Sequence, residues 1–459
     1  MKCNIAIFGG GSVNWCPGLI RDIYLLDEIT EGEIRLFDPD SEGVNAILSL
    51  QNVYNQETNK DLRFRRSDSL EDLLSGADFV LCTFSPGSLE AFFHDLEVPI
   101  SYGVRHPVSM SFGPTMISAA IRTVPLAEEL AHAMTRYCPN AWLLNVTNPM
   151  TCVTTVMCRA NRNGKVVGLC HEFEGQLSMV AEIVGHHWDH KAERGNDFAR
   201  ETLNAKIGGI NHFIWLTETS NSGQDLYPKL RNFAAANEAY YADGKIPLIN
   251  EKNPWSNNRE AKLAMLRHFG YLPMAGDRHL VEYLGSLCNV QNQYAQAFNV
   301  TKTTIRERER AKSRNLARTI AIGSGEVSQN WNRSGEQVTD IMQAALTGKP
   351  TYIVANLLNE GQISNLQPDV AVETFAWFDA SGGKAEPVGE LPGALGPMIR
   401  HGIEVCELTL TAALEGSRQK LIEALTLDFS CQAVDFRLIS KLADDLLHAN
   451  KEWLPRFHD

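Results

Sequence analysis

The first forty residues constrain the fold most tightly. Ile5-Ala6-Ile7-Phe8 is a short apolar run that ends in Gly9-Gly10-Gly11-Ser12. A helical stretch follows, with Pro17 near its start and Leu19, Ile20, Ile23 and Leu26 on one face. Ile34-Arg35-Leu36-Phe37 is a second strand, closed by Asp38. Strand, glycine turn, helix, strand and acid form the plan of a dinucleotide-binding βαβ unit. The glycines let the backbone approach a pyrophosphate, and the helix N-terminus stabilises its charge. A carboxylate at the end of the second strand accepts hydrogen bonds from a ribose diol, which favours NAD over NADP. Gly9, Gly11, Ser12 and Asp38 are therefore the expected cofactor contacts. Asn14 stands where the third glycine of the fingerprint would be, so an ordinary tight strand–helix turn is the competing reading.

Further apolar runs at Phe79–Phe84, Trp142–Asn145 and Val166–Leu169 are separated by helical stretches. This alternation predicts an α/β fold, a Rossmann-like doubly wound parallel sheet, with ligands beyond the C-terminal strand ends. Three polar stretches lie at such ends: "TFSPGS" (83–88), "NVTNP" (145–149) and "CHEFEG" (170–175). Ser85 and Asn145, from the first two, join the expected cofactor contacts. After about residue 190 the pattern changes. Residues 207–216 read as a strand with a polar interruption, and 300–318 as a charged solvated helix or mobile excursion. Residues 363–392 read as a β excursion, and 400–427 and 434–455 as amphipathic helices. The expected division is a dinucleotide-binding domain over 1–190 and an α+β substrate-binding and oligomerisation domain over 191–459. That architecture is the one found in lactate and malate dehydrogenases.

The 459 residues exceed one small core, and 44% hydrophobic with 21% charged residues is a globular composition. A net charge of −13 excludes a general nucleic-acid binder, which needs a basic surface to displace phosphate counterions. An anionic small molecule is still allowed, because a local arginine can dominate one pocket. The ten cysteines form no CxxC pair, the start lacks a signal-peptide pattern, and no apolar run reaches membrane length. These features predict a reduced cytoplasmic protein with no membrane partner and with free thiols able to bind metal.

"GLCHEFEG" (168–175) sets a thiol, an imidazole and two carboxylates side by side. Cys170 and His212, both at strand ends, could form half of a divalent-metal site completed by substrate oxygens and water. A small buried thiol and a satisfied core imidazole are the competing reading. In "GDRHLVEY" (276–283), Asp277 and Glu282 could accept protons, or Asp277 could simply cap a helix. His106 beside Arg105 is equally open, and the histidines of 185–198 read as a solvated loop.

Taken in order, "IAIFGGGSVNWCPGLIRDI", "EIRLFDPD", "NVTNPM", "GLCHEFEG", "GINHFIWL", "GDRHLVEY" and the late "ISNLQPDVAVET" resemble the NAD- and manganese-dependent glycosidases of glycoside hydrolase family 4. That family departs from two-carboxylate glycoside hydrolysis by using a redox cofactor. The resemblance implies oxidation at sugar C3 by NAD, metal polarisation of the ketone, C2 proton abstraction, elimination, water addition and re-reduction. It implies Cys170 and His212 as Mn²⁺ ligands and Asn148 against the sugar hydroxyls. Asp277 becomes the expected C2 base, with Tyr271 or Tyr283 as alternatives, and His171 or Glu172 the leaving-group acid. Cys-His-Glu followed by an apolar residue resembles the α-galacturonidase group. A uronate calls for an arginine fork, for which Arg105, Arg278 and Arg122 are candidates. The implied substrate is thus an unphosphorylated α-glycoside or oligouronide, foremost an α-D-galacturonide. An α-glucuronide, α-glucoside or α-galactoside is the alternative within the family, and the implied assembly is a homodimer or homotetramer. A plain NAD-dependent dehydrogenase of a sugar acid or hydroxy acid is the rival class, and a non-catalytic dinucleotide sensor a further one. "YGVRHPVSMSFGP" (102–114) departs from the family pattern and suggests a retuned pocket.

Overall fold

The computed structural model describes residues 1–190, 192–237, 259–289, 298, 300 and 302–457. Six parallel strands open the chain: β1 (Lys2–Phe8), β2 (Glu31–Phe37), β3 (Asp61–Arg66), β4 (Phe79–Cys82), β5 (Trp142–Asn145) and β6 (Lys165–Gly168). Their order is β3-β2-β1-β4-β5-β6, the doubly wound arrangement, with its topological switch between β1 and β4. Helices cover both faces of such a sheet, so its central strands are apolar, while the edge strand β3 alternates buried and exposed residues. Ile5, Ala6 and Ile7 are accordingly all fully buried. β4 is shorter than the sequence suggests. Its last two expected residues, Thr83 and Phe84, already belong to the turn that leaves the sheet.

The second half continues the same sheet. Beyond β6 lie β12 (Thr351–Leu358), β13 (Ala371–Asp379), β7 (Lys206–Ile210), β8 (Phe213–Glu218) and β11 (Leu272–Pro273), each antiparallel to its neighbour. β14 (Gly382–Ala385) pairs with β13, and β9 (Ser220–Asn221) with β10 (Gln224–Asp225) forms a small hairpin apart. β6 meets β12 through one pair of residues, Gly168 and Asn356, and β13 meets β7 through one pair, Glu373 and Gly209. Asn356 also faces Glu373. The row Gly168–Asn356–Glu373–Gly209 therefore joins the parallel and antiparallel halves. A Cβ on Gly168 would lie 2.4 Å from Thr154 Oγ1 and 3.0 Å from Asn356 Cβ, so the junction requires glycine there.

The charged segment 300–318 is an ordered helix, Ile305–Gly323, started by a capping box between Thr304 and Glu307. Most of it faces solvent, but it packs on the helices Ser41–Leu48, Leu50–Thr58 and Ser88–Ser101. The 400–427 stretch is two helices, Leu395–Glu415 and Arg418–Leu427, separated at Gly416-Ser417, where Ser417 caps the second. Among the described residues no helix is long and apolar enough to cross a membrane.

Arg122, a candidate for uronate recognition, lies on the buried helix Gly113–Tyr137 and has another role. Its guanidinium forks onto Asp95 at 2.8 and 2.7 Å, and Asn450 donates to the same carboxylate at 3.2 Å. Both charged side chains are almost wholly buried, so neither can be removed alone without stranding the other. Arg122→Leu is expected to cost about 3–5 kcal/mol, read as a lower urea midpoint with an unchanged slope.

Candidate active site

The glycine turn sits at the switch point. Gly9 has φ 94°, and a Cβ there would lie 2.3 Å from the Thr83 carbonyl oxygen, so only glycine lets this turn close on the end of β4. Asp38 is held by two amides, from Gly11 at 3.0 Å and Asp40 at 2.8 Å. Burial pushes its carboxyl above the usual range. This cradle, with an oriented acid at the end of β2, suits a dinucleotide ribose and pyrophosphate. The helix Ile305–Gly323 lies across it: Lys312 pairs with Asp40 at 2.9 Å and Asn315 donates to Asn14 at 2.8 Å. Ser85 is exposed just past β4, and its carbonyl accepts from Ser88. Asn145 is fully buried, its side chain committed to Thr147 and Thr154. Asn148 is half-buried on the same rim, its Oδ1 accepting from Met150 at 3.3 Å.

The eight residues 168–175 point in different directions. Cys170 turns inward and is buried. His171 turns outward to Glu336 at 2.8 Å, which holds its imidazole up to about 9. Glu172 starts the helix Glu172–Val184 and turns inward, accepting from the Gly276 amide at 2.7 Å. Glu174 packs beneath, taking Asn196 and Gln337 at 3.1 and 3.3 Å.

His212 occupies the polar interruption foreseen in 207–216. That interruption is the two-residue turn between β7 and β8, with Ile210 paired to Phe213. His212 adopts φ 62°, a left-handed conformation that non-glycine residues seldom hold outside tight turns and functional sites. The turn brings its Nε2 to 3.4 Å from Cys170 Sγ. Two ligands at about 2.1 and 2.3 Å from one ion, at tetrahedral to octahedral angles, stand apart by about this distance. Burial, with Glu373 and Glu172 nearby, pushes the Cys170 thiol up, while burial beside His279 pushes His212 down. A neutral imidazole and a thiol that becomes thiolate beside a cation are a suitable donor pair for a divalent ion. Among the described residues no third His, Cys, Asp or Glu completes a cluster, which leaves positions for substrate and water.

Ser111, which the sequence did not single out, bridges two imidazoles. Its Oγ lies 2.9 Å from His212 Nδ1 and 2.6 Å from His279 Nδ1, and the two rings stack at 3.8 Å. A hydroxyl has one proton to donate. A metal-binding His212 must keep its Nε2 lone pair, so its Nδ1–H donates to Ser111. Ser111 then donates to His279, and the remaining His279 N–H faces Glu172 Oε1 at 3.9 Å. His279 was visible in "GDRHLVEY", but its partner lies 168 residues away.

Asp277 does not cap its own short helix, whose N-cap is Gly276. Its carboxylate instead accepts from Ala261 and Lys262 at the start of the helix Glu260–Phe269, at 2.8 and 3.3 Å, with Lys262 Nζ at 3.8 Å. Burial pushes its carboxyl to about 7 against the opposing pull of Lys262. Tyr283 donates to the Asn211 carbonyl at 2.6 Å, and Tyr271 packs edge-on against Tyr227. Glu282 accepts from Val108, Ser109 and Ser111 at 2.8, 2.6 and 3.4 Å, and so anchors the divergent 102–114 loop. His106 is buried in that loop, 4.0 Å from Glu282. Arg105 is half-buried there, its amide bonded to Cys288. Arg278 reaches the Pro107 carbonyl at 3.4 Å and bonds Thr303. Arg308, from the charged helix, reaches the next carbonyl, Val108, at 2.9 Å. Burial pulls Arg308 down to about 10, and neighbouring Arg278 adds to that. Sequence reading missed Arg308 because its neighbours are solvated charges.

Residues 4–186 match the family profile described as Family 4 glycosyl hydrolase, and 207–430 the one described as Family 4 glycosyl hydrolase C-terminal domain. An α-galacturonidase of Bacillus subtilis is 30% identical over 418 residues, 90% of each chain. The crystal structure of Bacillus subtilis lplD, provisionally called a glucosidase, superposes with a TM-score of 0.85 at 27% identity, covering 97% of this chain and all of that one. A 6-phospho-α-glucosidase from gut microorganisms, in complex with NAD and Mn²⁺, shares the fold at a TM-score of 0.80 and 21% identity over the full length of both chains.

Two outcomes test this geometry. If His212 holds Mn²⁺, Ser111→Ala should weaken its binding to metal-free protein by about tenfold in calorimetric titration, because the imidazole loses its orienting hydroxyl. Burial raises the Glu282 carboxyl to about 7, from an unfolded value of about 4.3. The folded chain therefore keeps a proton that the unfolded chain loses, and stability declines as pH rises between those values. Glu282→Gln retains an acceptor for Val108 and Ser109, so its melting temperature should fall less steeply over that window than that of the unaltered protein.

Proposed function

The chain belongs to family 4 of the glycosyl hydrolases, and on that premise we propose that it cleaves unphosphorylated α-glycosides, foremost α-D-galacturonides, with NAD and Mn²⁺ as cofactors. The observation that carries the reading is the 3.4 Å approach of Cys170 and His212 on the rim that also holds the Gly9 turn. When bound, the dinucleotide supplies reversible hydride removal at sugar C3, and the divalent ion polarises the carbonyl so formed. Cys170 and His212 hold the ion, while Gly9, Gly11, Ser12 and Asp38 hold the dinucleotide. Asn148 meets sugar hydroxyls from the end of β5. Asp277 takes the C2 proton. Its carboxyl near 7 matches a base working at neutral pH, whereas Tyr283 is pushed well above the tyrosine range by burial. Glu172 turns inward and His171 outward, which favours Glu172 as the acid on the leaving oxygen.

The choice of a uronide rests on Arg278 and Arg308. Both guanidiniums lie over successive carbonyls of one loop, and that loop continues to Ser111 beside His212. This pair is our candidate for holding the C6 carboxylate, because carboxylates bind guanidiniums well. The curated α-galacturonidase relative supports the same choice. Residues 1–190 then form the dinucleotide-binding part and 191–459 the substrate-binding and oligomerisation part of a cytoplasmic homodimer or homotetramer.

Hydrolysis of p-nitrophenyl α-D-galacturonide, with NAD and Mn²⁺ each added or withheld under reducing conditions, tests the reading. Nitrophenol should appear only with both, without NADH accumulation. Release from the α-glucuronide or α-glucoside instead would replace the substrate, and NADH accumulating on a free sugar acid would replace the reaction. Arg308→Leu should raise KM for the uronide about 10- to 100-fold, the worth of a charged hydrogen bond, and leave KM for the matching α-galactoside unchanged.

A further inference from the structure

Glu373 lies at the centre of the sheet and has no part in the reaction as described. It is 1% exposed. Directly opposed residues on antiparallel strands present their side chains to one face, so Asn356 and Glu373 stand together in the row that joins β6 to β7. Cys170 follows one end of this row by two residues and His212 follows the other by three. Glu373 Oε2 accepts from Asn211 Nδ2 at 3.1 Å, and Asn211 is the other residue of the turn that carries His212. Asn356 Oδ1, fully buried beside Glu373, has no hydrogen-bond partner among the described residues.

A buried carboxylate near a thiol that must ionise to hold a metal is costly unless a positive charge compensates both. Its hydrogen-bond partners here, the side chains of Asn211 and Asn356 and the backbone of His212, are neutral and do not compensate charge. A divalent ion held by Cys170 and His212 would supply that charge from above. We propose that Glu373 is a positioning residue of the metal site, whose negative charge and bond to Asn211 hold the His212 turn in place and strengthen retention of a divalent cation. This rests on the reading of Cys170 and His212 as the ligands. Partners behind metal ligands commonly affect affinity by about 10- to 100-fold.

The test is Mn²⁺ and Co²⁺ binding to metal-free protein, followed by calorimetry and by the Co²⁺–thiolate charge-transfer absorption. Glu373→Gln should weaken both ions by about 10- to 100-fold. It should leave the metal-free melting temperature unchanged or higher, because a neutral amide replaces a buried acid. Glu373→Asp, which keeps the charge, should lose less affinity than the glutamine variant. Unchanged affinity in Glu373→Gln, or equal losses in the two variants, would overturn the role of the charge. Cys170→Ala separates this failure from failure of the site itself: if that variant binds Mn²⁺ as tightly as the unaltered chain and shows the same Co²⁺ absorption, the ligand reading is wrong and the proposal falls with it.

Discussion

The site depends on one row of residues, Gly168–Asn356–Glu373–Gly209, across the middle of the sheet. The parallel half carries the glycine turn, and the antiparallel half carries the His212 turn. Single-residue pairings join β6 to β12 and β13 to β7. Cys170 and His212 follow shortly after the two ends of the row.

Much of the first half was legible because local chemistry determines it. A strand buried on both faces must be apolar, the turn at Gly9 must be glycine, and an acid must end β2 if a ribose is to be held. The same local logic marked Cys170 and the Asn211-His212 interruption as unusual. It also marked Asp277 as a titratable group, though not that its carboxylate would bind the start of another helix. The rest depends on long-range packing. Ser111 acts through His212 and His279, which are 101 and 168 residues away. Arg308 lies in a helix whose neighbours are solvated, so its inward turn has no local signature. Arg122 carried the right charge but meets Asp95 in the core.

Burial dominates the electrostatics around the site. Asp277, Glu282 and Glu373 are each pushed to about 7, mainly by loss of water. Each is held by amide donors, from the helix start at Ala261, from the 108–111 loop and from Asn211 respectively. Amide donors orient all three acids, and Lys262 Nζ, 3.8 Å from Asp277, offsets part of the charge of that one. Arg278 and Arg308 both bond carbonyls of the 102–114 loop; Arg278 disfavours the charge of Arg308, while Glu282 and Glu307 favour it.

The hydroxyl of Ser111 stands between two imidazoles and carries a single hydrogen. Without an ion at His212, that hydrogen can point to either ring, and the chain of groups has two equivalent polarities. An ion on His212 Nε2 permits only one. If Cys170 and His212 hold an ion, binding it would thus also set which way the His279 ring presents its proton toward Glu172, at the far end of the chain.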